Sequence, residues 1–83
     1  MHLDILTPEK KIFEGDVTVV TFPGSDGSFQ VMNDHAPLVS LLKDGTVVYK
    51  SKEGTEEVKI TGGVVEVLKN NVIVLADGIN YNS

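Results

Sequence analysis

Short runs rich in valine, isoleucine and threonine recur along the whole chain, each closed by glycine, asparagine, aspartate or proline. Nothing between these breaks reads as a helix of useful length, so the expected fold class is all-β. His2 to Leu6 alternates polar and apolar residues and stops at Thr7-Pro8. Lys11 to Phe22 is strand-like, with a bend or bulge expected at Glu14-Gly15-Asp16. Pro23 to Gly27 is a turn by composition, and Ser28 to Met32 a short strand. Leu38 to Leu42 is apolar enough to be buried on both faces. Lys43-Asp44-Gly45 carries the Asp-Gly hairpin signal, and Gly62-Gly63 can absorb a bulge or a sheet corner. Val64 to Leu68 and Val72 to Ala76 make a last hairpin around Asn70-Asn71. Turn signals about every eight to twelve residues mark off about eight to ten strands, the pattern of a β-sandwich or barrel. With no room for crossover helices, antiparallel pairing is the default.

Eighty-three residues suffice for one domain, placed at 1–77, with a tail at 78–83 expected to fray. A domain this small buries only about 60–65% of its unfolded surface, so burial against a partner would add useful stability. The chain has no cysteine, which removes disulfides, zinc-thiolate sites and thiol nucleophiles and fits a reducing compartment. Met1 leads straight into His2-Leu3-Asp4, with neither a signal peptide nor a membrane span in view. The net charge is −5, and all seven basic residues are lysine. Arginine supplies most bidentate contacts to phosphate and guanine, so neither nucleic acid nor an acidic lipid surface is an expected partner. A partner with a basic patch suits this charge better.

Catalytic patterns are weak. Gly24-Ser25-Asp26-Gly27-Ser28 lacks the spacing of a nucleophile elbow, and of the two histidines His2 sits at the terminus, leaving His35. Metal chemistry would need more than one useful histidine and scattered carboxylates. No metal, cofactor or small-molecule substrate is therefore expected. The segment Gly27–Leu42 stands out instead. Pro37 holds Ala36 extended, so His35 and Leu38 are presented in a defined relation. On these residues alone the loop is either an ordinary rigid connection or a presented recognition loop.

Several landmarks in order resemble the epsilon-subunit family of F-type ATP synthases. They are His2 to Glu9, Phe13-Glu14-Gly15, Gly27 to Leu38 with its His-Ala-Pro-Leu turn, Gly45, Thr61 to Val67, and Asn71 to Asp77. The resemblance covers residues 2–77. It implies a flattened antiparallel β-sandwich of about ten short strands at the foot of a central stalk. There it would clamp the gamma subunit, rest on the c-ring, rotate with both during proton-driven ATP synthesis, and catalyse nothing itself. It implies gamma contacts at Thr7, His35, Ala36, Pro37, Leu38 and Ser40, and c-ring contacts at Ser28, Phe29, Gln30, Val31 and Met32. Relatives often carry an acidic residue at the position of Ser28 and glycine at that of Gln30, which favours packing by Phe29, Val31 and Met32 over a charged contact. It also implies a peripheral place on the cytoplasmic face of a bacterial inner membrane, or on a photosynthetic membrane, reached only through the complex. Most of the family continues into two C-terminal helices that inhibit hydrolysis. If Ser83 is the natural end, neither that brake nor a nucleotide site is expected. The alternative is a free-standing β-sandwich that binds a ligand, for which three phenylalanines, two tyrosines and no tryptophan leave few rings for a platform.

Overall fold

The computed structural model describes residues 1–80. They form seven strands: β1 (His2–Leu6), β2 (Lys11–Asp16), β3 (Val19–Gly24), β4 (Gly27–Met32), β5 (Leu38–Ser51), β6 (Gly54–Leu68) and β7 (Asn71–Ala76). All belong to one sheet in the order β2-β1-β7-β6-β5-β3-β4. The sheet folds over on itself because β5 and β6 are long, 14 and 15 residues, and serve both layers. The first half of β5 pairs with the second half of β6 beside β7 and β1; their other halves pair beside β3.

Seven strands stand where about ten were expected, because the segments on either side of Asp44-Gly45 run on as the single strand β5, and those on either side of Gly62-Gly63 as the single strand β6. Asp44-Gly45 is not a hairpin: Asp44 pairs with Thr61 and Gly45 with Ile60 in mid-ladder. Gly45 serves a close approach, since a Cβ there would lie 2.7 Å from the Pro23 Cβ. The break expected at Glu14-Gly15-Asp16 falls just beyond them: these residues continue β2, and Val17-Thr18 separate it from β3. The register shift of β2 lies at Ile12 instead, between the pairs Ile5↔Phe13 and Leu6↔Lys11.

The expected sheet corner does fall at Gly62-Gly63. Pairing steps from Leu42↔Gly63 to Asp44↔Thr61, and Gly62 and Gly63 hold φ of 97° and 147°. Around this corner the inward side changes parity. In β5 Leu42 is buried, then Val47 and Tyr49; in β6 Ile60, then Val65 and Val67. Without that switch one half of each strand would turn its apolar side to water.

One pairing departs from the antiparallel expectation. β1 lies parallel to β7, with Leu3 opposite Val72 and Ile5 opposite Val74. The first and last strands need no direct connection, so the usual demand for a crossover does not arise. The tail is also better held than expected. Gly78 accepts a bond from Thr61 N–H at 3.1 Å and Asn80 donates to the Lys59 carbonyl at 2.8 Å, with Ile79 bridged to Ile60. Residues 81–83 lie outside the described part.

Side chains of both layers meet in one core, which includes Leu3, Ile5, Val20, Phe22, Val31, Val47, Ile60 and Val74. Each such burial is worth about 1.5–3 kcal/mol. The rings of Phe13 on β2 and Tyr49 on β5, 4.4 Å apart, join the two layers at one side. Among the described residues no polar or charged side chain is buried.

Candidate docking surface

The outer sides of the two layers differ sharply. On the layer built by β1, β7 and the paired halves of β6 and β5, alternation sends Leu3, Ile5, Val65 and Val74 inward. The residues between them face water, yet many are apolar. Leu6 lies opposite Leu75, Leu75 opposite Val64, and Val64 opposite Leu41, a single apolar row across four strands. Val39 lies in the next row opposite Glu66, and Ile73 sits on that residue's other side. Val39 and Leu41 are 68% and 67% exposed, Leu75 50% and Leu68 49%. The expectation that Leu38–Leu42 is buried on both faces therefore fails within this chain. Only Leu38, Ser40 and Leu42 turn toward the core.

The other layer presents a polar exterior. Gln30 and Thr21 face each other across β4 and β3, where the Gln30 amide donates to the Thr21 hydroxyl at 3.2 Å. Met32, at the end of β4, is the exposed apolar exception, with the half-buried Val19 opposite it, and the half-buried Val48 lies opposite Thr21.

Five of the six residues expected at a gamma contact fall along the border of the apolar layer. Thr7 caps the turn after β1, its hydroxyl donating to the Lys10 carbonyl at 3.0 Å. With Leu6, Leu41, Val64 and Leu75 it lines an open depression of about 530 Å³. Pro37 and Leu38 line a second depression of about 270 Å³ with Val39, Glu66 and Leu68. In the loop between, His35 Nδ1 lies 2.7 Å from the Ala36 carbonyl. A carbonyl only accepts, so Nδ1 carries the proton and Nε2 is left for another partner. Ala36 and Pro37 are exposed. Ser40 is the outlier, half-buried on the inward side of β5 with its hydroxyl donating to the Leu41 carbonyl at 3.3 Å. The reading of the sequence missed Val39, Leu41, Val64, Leu68, Ile73 and Leu75. Their signal was present as apolar residues on the second face of strands whose first face was already apolar.

The residues expected to approach the c-ring form β4, a free edge of the sheet. Ser28, Gln30 and Met32 point outward. Val31 has no exposed surface, so its side chain is a core residue and offers nothing to a partner. Phe29 is half-buried against Phe22, their rings 5.4 Å apart. Packing at this edge thus rests on Met32 and the rim of Phe29.

One charged cluster lies on the apolar layer's outer margin. His2 Nε2 is 3.1 Å from Glu14 and 3.5 Å from Asp4, and Nδ1 is 3.7 Å from Asp16. Although near the terminus, His2 opens β1 and is paired on both sides, with Asp16 of β2 and Asn71 of β7. Lys11 grips the other oxygen of Glu14. That hydrogen bond, reinforced by the ammonium charge and by His2, holds the Glu14 carboxyl below the ordinary 4.5. The same bond raises the Lys11 ammonium above 10.5. The donor atoms of His2, Asp4 and Glu14 lie within 4.8 Å of one another. Glu14 is already neutralised by Lys11, and the group reads as a solvent-screened surface ion network that adds little to stability. Covering even one exposed leucine outweighs it.

A small two-layer β domain that leaves one apolar side uncovered has the kind of surface by which docking domains are recognised. The chain belongs to the ATP synthase delta/epsilon chain beta-sandwich domain family, which it matches over residues 1–81. It is 49% identical over 82 residues to an ATP synthase epsilon chain of Campylobacter fetus subsp. fetus, covering 98% of this chain and 64% of that one. An epsilon chain of Chlorobium limicola is 44% identical over 79 residues, 94% of this chain and 90% of the relative. This chain thus spans about two thirds of the first relative's length and nearly all of the second's. Among solved structures, it superposes at a TM-score of 0.81 and 19% identity on a chain of the Tetrahymena thermophila mitochondrial ATP synthase central stalk and c-ring, covering 95% and 64%. A chain of the Euglena gracilis mitochondrial ATP synthase gives 0.86 at 20% identity, covering 94% and 51%. At that identity the superpositions speak for the fold.

Proposed function

We propose that this chain is the β-sandwich part of a central-stalk subunit of an F-type ATP synthase. It links the gamma subunit to the c-ring, turns with both during proton-driven ATP synthesis, and has no catalytic role of its own. The observation that carries this reading is the uncovered apolar row Leu6–Leu75–Val64–Leu41, flanked by Thr7 and the His35–Leu38 loop. A chain of 83 residues that leaves such a row in water forgoes burial worth about 1.5–3 kcal/mol per large side chain. Contiguous exposed apolar surface rimmed by polar residues is the mark of a protein interface. On this reading gamma covers the apolar layer. The edge strand β4, on the opposite layer, is left to face the c-ring with Ser28, Gln30 and Met32.

Its place is peripheral, on the cytoplasmic face of a bacterial inner membrane, held there by the complex. Torque transfer suits this architecture, since close-packed layers deform little under load. The test is co-elution of the purified chain with purified gamma on gel filtration. A stoichiometric complex is expected, weakened by His35→Ala and by Pro37→Gly without loss of fold. Separate elution of the unaltered proteins at micromolar concentration would refute the proposal.

A further inference from the structure

The loop that carries His35 is held from a distance. Asp34 has φ of 64°, and its backbone N–H donates to Asn70 Oδ1 at 2.7 Å. Asn70, at φ of 62° in the β6–β7 turn, donates in return from Nδ2 to Asp34 Oδ1 at 3.2 Å. Both residue types tolerate the left-handed region, so neither conformation is strained. The main chain of Asn70 is also engaged, its carbonyl accepting from the His2 N–H at 2.9 Å. Asn33, next in the loop, accepts from the Met1 ammonium at 2.9 Å.

The β6–β7 hairpin itself does not need the Asn70 side chain. A two-residue turn with both central residues at positive φ, here Lys69 and Asn70, asks only for a backbone that accepts the conformation, which glycine does as well. The carboxamide instead bridges to a residue 36 positions away. Two and three residues beyond Asp34, Ala36 and Pro37 stand exposed beside the apolar layer. We propose that Asn70 is a positioning residue for partner docking. Through its reciprocal pair with Asp34 it fixes the direction in which His35, Ala36 and Pro37 meet the partner, without itself touching that partner. The inference rests on the reading that this loop contacts gamma.

Exchanging the two groups separates positioning from mere stability. Asn70→Asp alone faces two carboxylates and leaves the Asp34 oxygen without its donor. The double change Asp34→Asn with Asn70→Asp rebuilds the pair in reverse, because the new amide donates and the new carboxylate accepts from the same backbone N–H. Loss of a hydrogen bond to a charged group predicts affinity for purified gamma about tenfold or more weaker in Asn70→Asp, with recovery to within about threefold in the exchange. Asn70→Gly keeps the turn conformation, removes the side chain and should weaken binding similarly. Hydrogen exchange at the Asp34 amide reads the pair directly: faster in both single variants, restored in the exchange. An Asp34 amide that exchanges at the same rate in every variant would show that the pair holds nothing. An amide that responds as expected while gamma affinity stays constant would instead refute the loop as a contact, and the positioning role with it. Binding that the exchange fails to restore, despite a restored amide, would also overturn the inference.

Discussion

Leu41 and Tyr49 lie on the same strand and meet opposite surroundings. Tyr49 is 6% exposed against Phe13, and its burial, with the nearby Glu56 charge, pushes the phenol above its ordinary 10.0. The neutral phenol is therefore favoured in the fold. Its contribution is complete below the ordinary value and fades as the pH rises through the folded one. Thermal denaturation is expected to show a loss of stability above about pH 10 that Tyr49→Phe lacks. Leu41, by contrast, contributes almost nothing to the isolated fold. Leu41→Ser should leave the melting temperature within about 2–4 °C, since exposed sites change stability by about 0.5 kcal/mol or less. It should weaken binding to gamma about tenfold or more, as expected of a central apolar contact. Equal losses in both would mean that the side chain is structural. At the other margin Glu14, held low by Lys11, supports the fold at neutral pH and loses that support as pH falls through its lowered value. Lys11→Gln should move the Glu14 titration upward, read by carboxyl chemical shifts, while gamma binding stays constant.

At the scale of the strands, glycine decides the shape. A Cβ on Gly63 would lie 2.3 Å from the Leu75 carbonyl oxygen, and the residue has φ of 147°. Gly63→Ala must therefore force β6 and β7 apart at the corner. A cost of about 2–4 kcal/mol is expected in urea unfolding, more than overpacking alone, because backbone gives way less readily than a side chain. Gly54→Ala, at φ of 119° in open space, carries the conformational penalty alone and should cost less. If the two cost the same, the corner is not tightly packed. Strand existence and the all-β class were legible because β-branched runs and turn residues alternate clearly. Strand continuity was not, because Asp44-Gly45 is a hairpin signal that long-range pairing overrides. The pattern shows a glycine but not the Pro23 ring lying against it. Likewise the run Leu38–Leu42 showed two apolar faces but not that Val39 and Leu41 stay exposed on one of them. The stiff turn at Ala36-Pro37 was visible through its proline, whereas the Asp34–Asn70 pair joins residues 36 apart and leaves no local trace.

For the molecule as a whole, the two layers are asymmetric. One exterior is apolar and bordered by the His35 loop; the other is polar and ends in the free strand β4. In a body of 32 × 28 × 21 Å these surfaces lie on different sides, so one domain can be held by two partners at once. Stable interfaces bury about 1,200–2,000 Å² over both partners, about half of it on each, so the 5083 Å² that this chain exposes alone has room for two such contacts. The most direct measurement is hydrogen exchange across the chain with and without purified gamma. Protection on binding is expected at Val39, Leu41, Val64 and Leu75 and through residues 35–37, with little change along Gln30 and Thr21. Protection confined to the polar layer, or absent from the apolar row, would contradict the account.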